Sequence, residues 1–373
     1  MAANLQNRQN EFLEGQLVKF STFLFPDSRD PAHDGIVIDE TVREAVLADK
    51  LGADVVWLAE HHFDGISVYG DPMVMAGALA AALPNAALGF AVIQTALHHP
   101  IRLAEQMALL DHLTKGKLIV GLGRGSSYNI YDYQGFGLDH NEAQDRLNEA
   151  EDIMMKAWAG GEFTHEGRFW QLQVPMLRPL PYTKPHPPVV RASSGDASLI
   201  ELAHQGKPWM MNVQSLETTT RRIALYRQTM REAGYDEATI ARNLAACWVW
   251  RNFYVADRNE AAERTGIPAF ETMTRTRAEM RDRIFAATGQ RIAVPKTDLP
   301  GARTARGDGL VYGTPSRVAE DVAAIDRLGV GGIICTFRLG PMPHEVAAES
   351  LTLFMEKIAP QFRQTEITAA ADG

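Results

Sequence analysis

The chain of 373 residues is poor in cysteine, in clustered positive charge and in long apolar runs, and each shortage excludes a class of function. Its two cysteines, Cys247 and Cys335, sit in separate apolar, strand-like segments with no partner at metal-ligand spacing. They read as buried, inert thiols in a reducing cytoplasm. The 37 Lys and Arg are dispersed and outnumbered by 46 Asp and Glu, for a formal net charge of −9. An acidic protein without a basic patch is a poor nucleic-acid binder. No apolar stretch is long enough to cross a bilayer. Residues 1–16 are polar and lack the apolar centre of a signal peptide, so a loose tail and a cytoplasmic location are expected. Also missing are a His-Glu-x-x-His pair, a Walker lysine and any internal repeat beyond alternating elements.

What is present suits a large globular core: 46% of residues are hydrophobic and 22% charged. Strand-like segments at Leu17–Leu24, Asp54–Ala59, Ala87–Ile93, Lys117–Leu122, Pro188–Ala192, Trp209–Val213, Ala245–Val255 and Gly332–Phe337 alternate with helical ones. The helices run from about Asp39 to Leu51, from Asp71-Pro72 onward, His99–Leu113, Glu142–Trp158, Gly195–Gln205, Leu216–Ala233, Pro315–Leu328 and His344–Ile358. Asp71-Pro72 is an N-cap followed by proline at the first helical position. Strands spaced by helices imply parallel pairing through right-handed crossovers. Eight units in one chain imply an α/β fold closed as a (β/α)8 TIM barrel. One domain over 17–362 is expected, with a short C-terminal tail at 363–373. Two stretches interrupt the rhythm. Thr164–Pro187 reads as a small hairpin and a proline-rich connector. Residues 257–309, after the seventh strand, read as an insertion, and long barrel insertions often serve as lids.

The most informative run is Val55 to Ala59 followed by Glu60-His61-His62-Phe63. Five apolar residues read as a buried strand, and the carboxyl ends of barrel strands carry the reactive groups. Adjacent strand residues face opposite ways, so His61 and His62 cannot easily share a metal ion. A general acid/base or cofactor-orienting histidine is one reading, and a hydrogen-bonded structural pair is the other. Gly121-Leu122-Gly123-Arg124-Gly125-Ser126 also follows a strand; it departs from the dinucleotide fingerprint, with serine in place of the third glycine. Arg124 there could hold a phosphate or carboxylate, or simply face solvent. Arg191-Ala192-Ser193-Ser194-Gly195-Asp196-Ala197-Ser198 opens a helix, offering either an anion site or ordinary capping. Trp209, Met210, Met211, Trp248, Trp250 and Phe253 suit core packing, with a few available for an apolar pocket; Tyr69, Tyr128, Met211, Trp248 and Trp250 are its candidates.

Several ordered motifs together resemble bacterial luciferase and its flavin-dependent monooxygenase relatives. They are Val56-Trp57-Leu58-Ala59-Glu60-His61-His62-Phe63, Gly70-Asp71-Pro72, Leu88-Gly89-Phe90-Ala91-Val92, His99-Pro100-Ile101-Arg102-Leu103-Ala104-Glu105-Gln106, Gly121-Leu122-Gly123-Arg124-Gly125 and Arg338-Leu339-Gly340-Pro341. The resemblance implies a barrel that takes reduced FMN from a separate, transiently bound flavin reductase. It implies reaction with oxygen to a flavin hydroperoxide that oxidises a small apolar or carbonyl substrate, and commonly a homodimer. By motif, His61 matches the catalytic histidine beside the ring, with Glu60 on the cofactor side and His62 packing around it. Ala91 and Val92 match a pair joined by a non-prolyl cis bond that supports the ring. Arg124 with Gly125, and Arg146 through a helix offset by two residues, match the phosphate arginines; Ser193, Ser194 and Ser198 match the hydroxyl-rich phosphate loop. Luciferase's reactive cysteine is Gly123 here, so light emission is not implied. Two alternatives remain: a deazaflavin-dependent dehydrogenase on the same barrel, and a non-catalytic flavin-binding subunit.

Overall fold

The computed structural model describes residues 18–125, 130–289 and 306–363. Among these residues there are twelve strands: β1 (Lys19–Leu24), β2 (Val55–Leu58), β3 (Ala87–Phe90), β4 (Ile93–Gln94), β5 (Leu118–Gly123), β6 (Phe163–Glu166), β7 (Gln171–Val174), β8 (Val189–Ser193), β9 (Trp209–Met211), β10 (Trp248–Val255), β11 (Leu310–Gly313) and β12 (Gly332–Thr336). Eight of them close a parallel barrel in the order β1, β2, β3, β5, β8, β9, β10, β12 and back to β1. These are the eight segments expected from the apolar runs. The small strand β4 pairs with β5, β11 pairs with β10 outside the ring, and β6 and β7 form an antiparallel hairpin in the first interruption.

Strand parity divides the core into two. Outward residues pack against the surrounding helices in one continuous cluster that includes Val56, Leu58, Leu88, Val120, Met211, Val249 and Ile333. Inward residues fill the bore: Phe23, Val55, Trp57, Ala59, Ala87, Ile119, Met210, Trp248 and Ile334. Trp57 meets Trp248 edge to face, with centroids 4.9 Å apart. Room for the first indole comes from the next strand, where a Cβ on Gly89 would overlap the Trp57 ring. At Gly121 a Cβ would overlap the Phe90 carbonyl oxygen and lie 2.8 Å from Met210 Cε. Side chains are thus omitted where wide ones cross the bore, which preserves close packing.

Helix ends follow local chemistry. The Asp71 carboxylate accepts from the amides of Met73 (2.8 Å) and Val74 (3.3 Å), with Pro72 in the first turn. Some boundaries differ from those read in the sequence. The first long helix starts at Asp34, and the strand expected from Ala245 begins only at Trp248, because Asp236 caps a helix over Glu237–Ala245 that the apolar reading overlooks. The segment read as one strand over Ala87–Ile93 is broken, since the Ala91–Val92 peptide is cis and β4 then pairs with β5. Cys247 and Cys335 are buried and free, and burial pushes both thiols up. Among the described residues no helix is long and apolar enough to cross a membrane.

The bore makes a direct prediction. Gly121→Ala has to displace backbone and should destabilise the protein by about 2–3 kcal/mol, the range for overpacked cores. Gly77→Ala, in the helix Pro72–Ala82 with nothing within 4 Å of the new Cβ, should be neutral or stabilise by about 0.5–1 kcal/mol. Urea unfolding followed by tryptophan fluorescence measures both, and equal midpoints would contradict the packing argument.

Candidate active site

Residue parity places His61. The inward row of β2 is Val55, Trp57 and Ala59, and the next residue of that parity is His61. Its imidazole lies edge-on to Phe25, which extends the inward row of β1, at 4.9 Å between centroids. Burial lowers the His61 pKa; Asp64 opposes the shift and Arg277 adds to it. The ring is therefore neutral near pH 7.

Glu60 turns the other way, into a buried network. Its Oε1 accepts from His62 Nε2 at 2.9 Å and from His98 Nε2 at 2.8 Å, and its Oε2 from the Gln94 amide at 2.7 Å. Burial alone would raise this carboxyl, but the two histidines and the amide outweigh it and bring its pKa to about 2. Burial also works against charge on His62, yet the Glu60 bond prevails and its pKa is raised. Gln94 Nε2 donates to the Glu60 carbonyl (3.0 Å) and to Asp132 Oδ2 (2.6 Å), and Asp132 Oδ1 accepts from the His62 amide at 3.0 Å. Burial pushes Asp132 up to about 6. The backbone on both sides of His61 is thus tied down. Both Glu60 carboxylate oxygens are engaged in this network, Oε1 by two imidazoles and Oε2 by one amide.

The cis peptide at Ala91–Val92 lies beside this network. Ala91 N donates to Leu58 O at 2.7 Å, and Val92 Cγ2 occupies the place a Cβ on Gly123 would need. The β5–β8 register sets Leu122 against Arg191, so Arg124 and Ser193 emerge side by side. Arg124 is exposed, and Gly125 follows it in a left-handed turn with φ of 76°. Ser193 Oγ and Ser198 Oγ lie 2.9 Å apart, while Ser194 is exposed at the start of the helix Asp196–His204, whose N-terminus has no side-chain cap. The Asp196 carboxylate in that first turn is drawn away by Arg221 (2.7 and 3.0 Å) and Arg222 (3.1 Å). The Ser193 and Ser198 hydroxyls both donate to Gly195 O (3.3 and 2.9 Å), and this serine loop with its uncapped helix start lies at the strand end beside that of Arg124.

Other expected residues are placed differently. Arg146 is engaged by Glu142 Oε2 at 3.2 and 3.3 Å and stacks 4.3 Å from the Phe169 centroid. On β9 it is Met210 that faces the bore, while Met211 packs against the helices, because strand parity separates neighbours. Trp248 belongs to the packed interior with Trp57. Trp250 is half-buried above it, 4.2 Å from the Phe23 centroid, with Nε1 donating to Thr336 Oγ1 at 2.7 Å. Tyr69 is a strut: its hydroxyl donates to Leu24 O (2.5 Å) and accepts from Ala59 N (3.1 Å). Tyr128 lies outside the described residues. Among the described residues no three His, Cys, Asp or Glu form a group able to hold a metal ion.

The helix Asn259–Thr288 follows β10 and passes over the loops at this end of the barrel. Met273 abuts Gly340 after β12, and Thr276 accepts from Arg29 after β1. Arg277 lies over Phe25 at 5.5 Å, and Met280 packs on Ile66 after β2 and Ile130 after β5. Sequence reasoning missed Phe25, Gln94, Asp132 and Arg277; His98, which precedes a helix beside His99-Pro100, reads from the sequence as structural, in keeping with its bond to Glu60. Phe25 alone had a local sign, its parity with Phe23.

The chain is 24% identical over 369 residues to the alkanal monooxygenase alpha chain of the Kryptophanaron alfredi symbiont, covering 93% of this chain and 99% of that one. With the oxygenase component of a flavin-dependent trigonelline monooxygenase from Acinetobacter baylyi it shares 30% identity over 151 residues, 40% of this chain and 42% of the relative's length. The crystal structure of the monooxygenase RslO1 from Streptomyces bottropensis superposes with a TM-score of 0.76 at 26% identity, over 92% of this chain and all of that one. The oxygenating constituent of 3,6-diketocamphane monooxygenase of Pseudomonas putida, solved with FMN, gives 0.72 at 20% identity, over 92% and 98% of the two chains. An F420-dependent secondary alcohol dehydrogenase shares the fold at 0.67 and 16% identity, over 94% and 100%. Residues 18–332 match the family profile described as luciferase-like monooxygenase, and the chain belongs to that family.

Proposed function

We propose that this chain is the oxygenase of a two-component, FMN-dependent monooxygenase that oxidises a small, mainly apolar or carbonyl substrate. One arrangement carries the reading: a neutral, inward histidine held by the Glu60 network faces the same barrel mouth as the Arg124–serine corner. The residues fit a flavin. A phosphate of charge near −2 needs a guanidinium and free N–H donors, which Arg124, Ser193, Ser194, Ser198 and the helix N-terminus at Asp196 supply. Between that corner and His61 lie the Gly123 backbone, covered by Val92 Cγ2, and the cis Ala91–Val92 peptide, which we assign to the support of the ring. Bound reduced FMN, with oxygen, supplies the oxygenating group.

The protein's own part is positional. Arg124 and the serine loop hold the phosphate end, and Ala91 and Val92 support the ring. His61, uncharged, donates or accepts a hydrogen bond at the reacting oxygen, and Glu60 with His62 and His98 fixes where that bond points. The helix Asn259–Thr288 shields the mouth from water, which keeps a reactive oxygen species from being wasted. The trigonelline relative, described as an oxygenase component, supports a separate reductase as the electron source. A homodimer is part of the same proposal and is checked by sedimentation.

Two outcomes are expected. Arg124→Met should weaken FMN binding, followed by flavin fluorescence, by about 10- to 100-fold, the equivalent of one charged hydrogen-bonded contact. Arg146→Met should cost less, because Arg146 is already committed to Glu142; the reverse order, or no FMN uptake by the wild-type chain, would remove the reading. His61→Ala should keep FMN binding while oxygen uptake is no longer coupled to product. Because burial holds the wild-type His61 pKa below its usual 6.5, coupled turnover should lack an acid limb from this residue between pH 6 and 8. Oxygen-independent hydride transfer from a secondary alcohol to a deazaflavin would favour the dehydrogenase alternative instead.

A further inference from the structure

The flavin reading leaves two polar groups at the mouth without a task. Asp27 stands two residues beyond Phe25, with its backbone pinned by a bridge to Ser67. Only 6% of its surface is exposed, yet neither carboxylate oxygen has a hydrogen-bond partner among the described residues. Burying a carboxylate without donors is costly, and such groups are completed by a ligand or an ordered water. Burial pushes Asp27 up to about 6, and Arg277 is the charge that most opposes the rise. Arg277 is the complementary group. Its guanidinium covers the Phe25 ring at 5.5 Å and forms no ion pair or hydrogen bond among the described residues. The other cations near Asp27 are engaged elsewhere: Arg338 by Glu40, and Arg29 by Thr276 and Glu279.

Phe25 links this pair to the reacting centre, because the same ring meets His61 at 4.9 Å. Asp27 can accept hydrogen bonds, Arg277 can only donate them, and they do not satisfy each other. A ligand atom serving both must accept from the guanidinium and donate to the carboxylate. A ketone or ether oxygen would serve Arg277 and leave Asp27 bare. A ligand carboxylate would set a second negative charge beside Asp27. A hydroxyl does both, and an acidic one does so most strongly. The nearby walls are flat and aromatic: Phe25, the His61 imidazole, and Trp250 against Phe23. We infer that Asp27 and Arg277 jointly bind the hydroxyl of a planar phenolic or enolic substrate and select for it. The inference rests on the flavin reading for the chemistry that follows binding, but not for the binding itself.

Calorimetric titration of 4-hydroxyacetophenone, 4-methoxyacetophenone and acetophenone, into FMN-free and FMN-loaded protein, tests it. The hydroxylated probe should bind at least about tenfold more tightly than the other two, as expected where a site is built to bond a hydroxyl. That advantage should fall to within about threefold in Arg277→Met and in Asp27→Asn, with acetophenone affinity little changed, since one charged contact accounts for roughly a factor of ten. Thermal melts of both variants confirm that they fold. Equal affinity for the three probes, binding of none, or an advantage that survives both substitutions would overturn the inference. FMN uptake measured on the same samples separates the two readings: failure there removes the flavin and leaves hydroxyl selection to be read from the FMN-free protein.

Discussion

A single buried carboxylate organises the reactive end of this barrel. Glu60 takes two imidazoles and a backbone amide within 2.9 Å, and those three donors come from the loop after β2, from the turn after β4 and from β4 itself. In a low-dielectric setting, charge-assisted hydrogen bonds of this kind are strong, and leaving any member unpaired is costly. The geometry is therefore over-determined: the histidine next to the carboxylate cannot drift without breaking bonds on both sides of itself. Gln94 extends the same constraint to Asp132, so a loop far along the chain is fastened to the network as well.

Around that fixed point, barrel geometry supplies the rest. Parallel register sets the ends of β5 and β8 side by side, bringing a guanidinium and a hydroxyl loop together without any direct bond between them. Glycines at inward positions let aromatic rings cross the bore below, and the long helix passes over the loops above. Rigidity below and an adjustable cover above is a common division in barrel enzymes, where strands hold the chemistry and loops choose the ligand.

Much of this was legible in the chain. Apolar-rich runs alternating with helices marked the eight barrel strands, and the abrupt change from Val55–Ala59 to Glu60-His61 marked the candidate site, because period-two parity carries an inward row past the strand end. The unread parts depend on distance along the chain. Gln94 and Asp132 meet Glu60 and His62 across separations of 34 to 70 residues, and no local pattern encodes such pairings. Met210 and Met211 are chemically alike, so only the observed register of a three-residue strand says which of them faces inward. The Arg146–Glu142 pair, by contrast, has the i, i+4 spacing of a helix face and could have been read beside the phosphate assignment that the resemblance implies. The helix over Glu237–Ala245 was hidden by the apolar run that follows it.

The packed interior has a consequence for traffic. Trp57 and Trp248, both almost completely buried, close the bore from within. A bore stoppered in this way gives no route through its centre, so in the proposed reaction oxygen, substrate and product would share the end above the indoles. What sits deepest must arrive first and depart last. For the proposed reaction, the order of events in turnover is then a matter of depth above two buried indoles.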